Sequence, residues 1–320
     1  VVLRGAGLDA PILVLGYTPA EHAQQLIEFD LIQAVYGYAN AEKFSSQAQK
    51  LKKKISVHIK IDSGMGRLGL VSPALLPEKE IRESNPDPVA AVRKIAKLKG
   101  LEIQGVFTHF ATADSADRTY ANRQLDIFLD FLHQLERDGL QPPLRHAANS
   151  AALIEMPDAH LDMVRPGIAT YGLNPSDEIN RDKADLKPVM SLKSRIIHLK
   201  RVSAGFNVSY GITYQTEKPT TIATVPVGYA DGLNRWFSSR GQMMVQGQKV
   251  PIIGRVCMDL TILDVGEIDS VGMEDEVVIF GRQGNASITA DDLASELNTI
   301  NYEIVSTVMA RVPRVYVRSQ

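Results

Sequence analysis

Val57-His58-Ile59-Lys60-Ile61-Asp62, running into Ser63-Gly64-Met65-Gly66-Arg67-Leu68-Gly69, decides how the rest of the chain is read. Alternation puts Val57, Ile59 and Ile61 on one face of a strand and His58, Lys60 and Asp62 on the other. In a (β/α)8 barrel the outward face packs on helices, which would turn the three polar side chains inward. A lysine inside a barrel is costly unless paired or modified. The alternative is that Lys60 sits near the strand end and reaches solvent. The glycine-rich run that follows would be a βα loop at the end of the barrel where active sites lie.

Working outward, apolar runs at 11–16, 32–36, 103–109, 144–149 and 161–165 give five more strand candidates. Leu125, Phe128, Leu129, Leu132 and Leu135 share one helical face, closed by Gly139, and Val89, Val92 and Ile95 repeat the pattern before Gly100. Strands alternating with helices imply βαβ units and a parallel sheet. A doubly wound sheet competes, but no Gly-x-Gly-x-x-Gly turn follows a strand. The reading is therefore a TIM-type (β/α)8 barrel. Only six of its eight strands are visible, and Leu3-Arg4-Gly5-Ala6-Gly7 reads like the end of a helix. The expectation is that the first two βα units, about 30 residues each, are missing upstream of Val1.

Past Pro188 the texture changes. Ser191 to Lys200 alternates with a period of two, and 221–227, 242–245, 251–256, 260–265 and 276–280 are further short strands. Only Ala290 to Leu297 looks helical, with Thr289 as N-cap and Asp292 three residues on. The expected division is a barrel over 1–180 and a mainly antiparallel β domain over 181–320, joined near 174–188.

Of 320 residues, 44% are hydrophobic and 22% charged, as in globular domains rather than disordered chains. Lys and Arg total 35 against 37 Asp and Glu, which gives no basic surplus to hold a nucleic acid. No apolar run approaches the ~20 residues of a membrane span. The single Cys257 forms no internal disulfide and fits a reducing, cytoplasmic location. It reads as a core thiol at a buried strand end over 255–259, with no nearby histidine to make it a nucleophile. Zinc-like spacings, Walker loops and Gly-x-Ser-x-Gly elbows are also missing, so no metal site is expected.

The loops His146-Ala147-Ala148-Asn149-Ser150 and Val164-Arg165-Pro166-Gly167-Ile168 would follow barrel strands seven and eight, where such barrels often bind phosphate. The Ser150 hydroxyl and Gly167 amide are candidate donors; ordinary small-residue loops remain the other reading. With Thr108-His109-Phe110-Ala111-Thr112-Ala113-Asp114, Val208-Ser209-Tyr210-Gly211, Gly254-Arg255-Val256-Cys257-Met258-Asp259 and the Lys60 to Gly69 run, these segments resemble the bacterial alanine racemases. The resemblance runs in order from about residue 8 to Arg311-Val312-Pro313-Arg314. It implies a barrel plus a β domain, pyridoxal phosphate (PLP) as cofactor, and alanine as substrate. It also implies a cytoplasmic head-to-tail homodimer with shared active sites, supplying D-alanine for peptidoglycan.

By that resemblance, Tyr210 is one of two opposed acid/base groups, entering from the partner subunit. His109 supports it, and Arg165 faces the pyridine nitrogen. Asn149, Ser150, Gly167, Ile168 and Tyr302 contact the cofactor and its phosphate. Arg67 lies near the PLP phenolate beside the substrate, and Lys60 is a candidate for carbamylation that would hold it; Tyr229 and Met258 line substrate entry and the carboxylate site, with Met258 also reaching across the dimer. The family's PLP lysine lies in an Ala-Asn-Ala-Tyr-Gly-His-Gly context that does not occur in this sequence. A guanidinium cannot pass a proton to the ring, which suits a racemase and argues against a PLP decarboxylase of similar architecture. The competing readings are a serine or broad-specificity racemase and a non-catalytic PLP-binding homologue.

Overall fold

The alternation at 57–62 belongs to a longer strand, β3, in a parallel sheet. A computed structural model describes residues 1–317 of the chain. Two units separate in it, Val1–Leu186 and a second from Lys187 onward.

In the first unit the strands are β1 (Ile12–Val14), β2 (Leu31–Val35), β3 (Ile55–Asp62), β4 (Leu70–Val71), β5 (Leu101–Phe107) and β6 (Leu144–His146). They run in the order β1-β2-β3-β5-β6, all parallel, with β4 paired to the end of β3. This is the strand and helix order of a (β/α)8 barrel. Ile55, Val57, Ile59 and Ile61 enter the hydrophobic core beneath the helices. His58, Lys60 and Asp62 on the other face are buried as well, so Lys60 does not reach solvent. The sixth expected strand, 161–165, is reduced to a single bridge between Met163 and His146. Asp162 spends its carboxylate on the Arg145 backbone and guanidinium instead of extending a ladder.

A register shift re-aims β3. Val57 faces Ile103 but His58 faces Gly105, so Gln104 is the extra residue of a bulge. A Cβ on Gly105 would lie 2.7 Å from the His58 ring, so only glycine lets the imidazole lie against β5. The helix over Thr119–Arg137 buries Leu125, Phe128, Leu132 and Leu135 as the periodicity requires, and Gly139 follows with a φ of 74°. Burying a side chain such as Phe128 contributes ~1.5–3 kcal/mol.

The second unit is antiparallel throughout. Strands β7 (Leu192–Arg195), β8 (His198–Val202), β9 (Asn207–Val208), β10 (Tyr214–Gln215) and β11 (Thr220–Val225) come first. Then follow β12 (Gln242–Val245), β13 (Gln248–Pro251), β14 (Thr261–Asp264), β15 (Glu276–Gln283) and β16 (Ala286–Ile288). They form sheets ordered β14-β11-β8, β13-β12-β15-β16 with β7 on β15, and β10-β9. The run 191–200 is therefore two strands and not one. Ile196 N–H donates to Asp275 O at 3.0 Å while Ile197 N–H donates to Thr224 O at 2.9 Å, so neighbouring residues serve different sheets. The strand expected over 251–256 likewise stops at Pro251, and 255–259 is a loop carrying a half-buried Cys257. The helix Ala290–Leu297 carries the expected Thr289–Asp292 capping box. A second helix, Asn301–Ser306, was not foreseen; its six residues are too few to show a periodic face.

Candidate active site

Strands β3, β5 and β6 deliver their ends to one place. The Asp62 carboxylate accepts the amides of Gly64, Met65 and Gly66 at 2.8–3.1 Å, folding the loop after β3 back on itself. Gly69 closes it with a φ of 134°, and a Cβ there would lie 2.6 Å from the Asp62 nitrogen. Arg67 stands exposed within this loop.

Arg165 organises the other side. One guanidinium nitrogen donates to His146 Nδ1 at 2.6 Å. The other serves Thr108 O at 2.8 Å and Ala147 O at 2.9 Å, with His109 Nδ1 at 3.3 Å. Because Arg165 can only donate, His146 Nδ1 must accept, so its Nε2 carries the proton. That proton is given to His58 Nδ1 at 2.8 Å. His58 Nε2–H is then left without a partner among the described residues. A directional relay thus runs from Arg165 through His146 to His58. The Phe107 ring stacks on His146 at 4.8 Å and lies 5.4 Å from Arg165 Cζ and 5.7 Å from Lys60 Nζ.

These groups depress one another's proton affinity. Burial and then Arg165 push His58 down to about 4. Burial followed by Arg165, Arg67 and Lys60 takes His109 to about 4, and burial with Arg165 and His58 takes His146 to about 2. Burial lowers Arg165 to about 10, still protonated at neutrality. Lys60 is also lowered, by burial first and by Arg67 next. These three imidazoles are neutral at pH 7, and at Lys60 the Arg67 and Arg165 cations are opposed by the Asp62 carboxylate, whose oxygens are engaged by the loop amides.

Ser150 begins the helix Ser150–Glu155, capped by Asn149 Oδ1 on Ala152 N at 3.0 Å. Its Oγ accepts Gly167 N at 2.8 Å and Ala169 N at 3.2 Å. The Gly167 amide, expected as an anion donor, is therefore already used within the chain. With both acceptor positions filled, the Ser150 hydroxyl proton is the group left to donate. Ile168 is buried beside it.

In the second unit the functional candidates sit on a braced set of loops. Tyr210 follows β9 and is 72% exposed. Ser209 before it has a φ of 62° and donates to Arg255 O at 2.6 Å, with Cys257 Sγ at 3.4 Å. Tyr229 N donates to Cys257 O at 3.1 Å and Ala230 N to Met258 O at 2.8 Å. A Cβ on Gly228 would come within 2.4 Å of Cys257 O. Tyr210, Tyr229 and Met258 are thereby tied to one segment, 254–258, with their side chains exposed. Tyr302 lies apart from this set in sequence, on the Asn301–Ser306 helix, and is 37% exposed.

The relay was missed by sequence reasoning, although His58 and His146 lay in the quoted motifs. So was Gln124, wholly buried on the helix face that also buries Ala121, Leu125 and Phe128; a polar residue on that helical face was the available signal. Among the described residues no cluster of His, Cys, Asp or Glu could hold a metal. No described helix is long and apolar enough to cross a membrane.

A parallel βα-barrel unit with a cation-rich strand-end site, followed by an antiparallel β unit, defines a two-domain barrel-plus-β enzyme class. Residues 1–175 match the family described as "Alanine racemase, N-terminal domain", and 189–316 match "Alanine racemase, C-terminal domain". An alanine racemase of Desulfosudis oleivorans is 53% identical over 319 residues, 98% of this chain and 80% of its own length. The solved alanine racemase of Clostridium difficile 630 has a TM-score of 0.91 at 38% identity, covering 99% of this chain and 78% of that one. A Bartonella henselae alanine racemase solved with covalently bound pyridoxal phosphate has a TM-score of 0.82 at 27% identity, covering 99% and 82%. The chain belongs to the alanine racemase family.

Proposed function

We propose that the protein interconverts L- and D-alanine with pyridoxal phosphate, by proton transfer on opposite faces of Cα. The observation that carries this reading is the match of both family domains along the chain, laid over a site of cations and neutral imidazoles. Relatives from Desulfosudis oleivorans, Methanococcus maripaludis and Clostridium tetani carry the same name at 43–53% identity, which disfavours the serine-racemase and non-catalytic alternatives.

The residues suit the cofactor. A dianionic phosphate ester fits Ser150, whose hydroxyl can only donate outward. Asn149 holds the helix start in place, Gly167 and Ile168 form the adjoining loop, and Tyr302 is assigned to the same phosphate. Arg165 would face the pyridine nitrogen as a fixed cation. When bound, the cofactor supplies the electron sink that makes the Cα–H bond breakable.

The chain's own groups do the rest. Tyr210 takes or returns the α-proton on one face, as general base or acid. His109, kept neutral, accepts from Arg165 or supports Tyr210 without adding charge. Arg67 orients the anionic end of the substrate, and Tyr229 and Met258 line its access. Lys60 is held at a lowered proton affinity, which raises the share of free amine able to take up carbon dioxide as a carbamate. That carbamate would brace Arg67. A head-to-tail homodimer in the cytoplasm is the proposed working form, because Tyr210 and Met258 are displayed outward on the single chain. D-alanine for peptidoglycan is the proposed use of the product.

The test is chiral analysis of product when the holoenzyme meets L-alanine or L-serine. D-alanine should form faster than D-serine by at least tenfold. No D-alanine, or D-serine formed faster, would overturn the reading.

A further inference from the structure

One turn of the Thr119–Arg137 helix touches both loops that carry the site's candidate residues. Gln124 Oε1 accepts Ala111 N at 2.8 Å, and Gln124 Nε2 donates to His109 O at 3.2 Å. The Ala111 amide can only donate, so it fixes the orientation of the carboxamide and aims the NH2 at His109. The side chain is completely buried. Four residues earlier, on the same helical face, Tyr120 donates its hydroxyl to Gly64 O at 2.9 Å. Gly64 has a φ of 129°, and a Cβ there would lie 2.6 Å from Tyr120 Oη and 3.3 Å from Gln124 Cγ. The loops are joined at their bases too, by Ser63 Oγ and Thr108 Oγ1 at 2.7 Å, both fully buried.

We propose that Gln124 and Tyr120 form a two-pronged clamp that positions His109 and Arg67 for the reaction. Neither residue reaches the reacting atoms; each acts through a loop backbone. Gln124 sets where the His109 imidazole stands against Arg165, so it governs the proton-transfer step. Tyr120 holds the Gly64 carbonyl three residues before Arg67, so it governs how the substrate is gripped. A purely structural glutamine would need only to satisfy its own polar atoms. This one bridges the two residues that flank Phe110, fixing the orientation of the segment that presents His109. The inference rests on the alanine racemase reading for its kinetic part and on the geometry alone for the rest.

The experiment compares Gln124→Met and Tyr120→Phe with the wild-type holoenzyme. It uses steady-state racemisation of alanine and NMR titration of histidines labelled at Cε1. Gln124→Met keeps the length and removes both hydrogen bonds. It should lower kcat about tenfold with KM within about twofold, as expected for a displaced reacting group. The His109 midpoint, held at about 4 by burial and the nearby cations, should rise toward the ordinary histidine value. Tyr120→Phe should show the opposite split, with KM up about fivefold, kcat within about twofold and His109 unmoved. If Gln124→Met does not fold, the Tyr120→Phe split decides alone. The clamp is overturned if both variants keep kcat and KM within twofold and the His109 midpoint does not move, even where thermal stability falls. If the wild type forms no D-alanine, the functional reading fails, and the His109 midpoint still judges the clamp.

Discussion

The two units present their functional residues in opposite ways. In the first, His58, Lys60, Asp62, His146 and Ser150 are buried, and each but Lys60 is locked by a hydrogen bond to another part of the unit. In the second, Tyr210 is 72% exposed and Met258 57%, on loops whose backbones are tightly braced. A buried polar network is preorganised and expensive to leave unpaired. A large exposed aromatic on a strained, braced loop is poised to be covered by something else. The difference teaches that the first unit holds its candidate residues by side-chain contacts inside the fold, while the second braces the backbone and leaves the side chains exposed.

Breaking the first half should change which product forms as well as the rate. Arg165→Glu removes the head of the relay and replaces a group that cannot surrender a proton with one that can. Racemisation should fall roughly 10²–10³-fold, and the ratio of pyruvate to D-alanine formed should rise. Circular dichroism would confirm folding, and an unchanged product ratio in a folded variant would contradict the assignment of Arg165.

Acid should separate the two halves next. His58 and His109 are held at about 4 and His146 at about 2, below an unfolded histidine near 6.5. Between those values the unfolded chain binds protons that the folded one refuses. The stability these neutral imidazoles provide is fully present above about 6.5 and is lost as pH falls toward 4. Hydrogen exchange at pH 7 and pH 5 should show β3 and β6 losing protection before β11 and β12. Uniform loss, or earlier loss in the second unit, would contradict the relay.

The smallest effect is expected at Cys257. Its thiol lies 3.5 Å from Arg255 O and 3.4 Å from Ser209 Oγ, within the bracing beneath Tyr210. Cys257→Ala should cost about 1 kcal/mol of stability or some dimer affinity and leave kcat within about threefold. A loss of turnover as deep as that of a missing acid/base group, at unchanged dimer content, would make it catalytic.

Much of the fold was readable because side-chain period reports local environment. The 57–62 alternation foretold which face of β3 is core, and Thr289 with Asp292 foretold a helix start to the residue. What escaped depends on pairing across the chain. Alternation continues through Ile196 and Ile197, yet their amides serve different sheets, and no local pattern records that. The Gln104 bulge and the loss of a sixth strand are likewise decided by the partner strand. In the site, motif order singled out the candidate residues, whereas the His58–His146–Arg165 relay required knowing that β3 and β6 end together. The Gly167 amide failed as a free donor because Ser150, 17 residues away, folds back onto it.

The central proposal is that the exposed Tyr210 serves as an acid/base group in alanine racemisation. It is tested most directly by following exchange of the α-proton of L-alanine with deuterium oxide in the Tyr210→Phe holoenzyme. The ring is kept and only the hydroxyl is lost, so cofactor content should be unchanged. Exchange should fall about 100-fold or more, the usual contribution of a general acid or base. Exchange within about tenfold of wild type would contradict the claim.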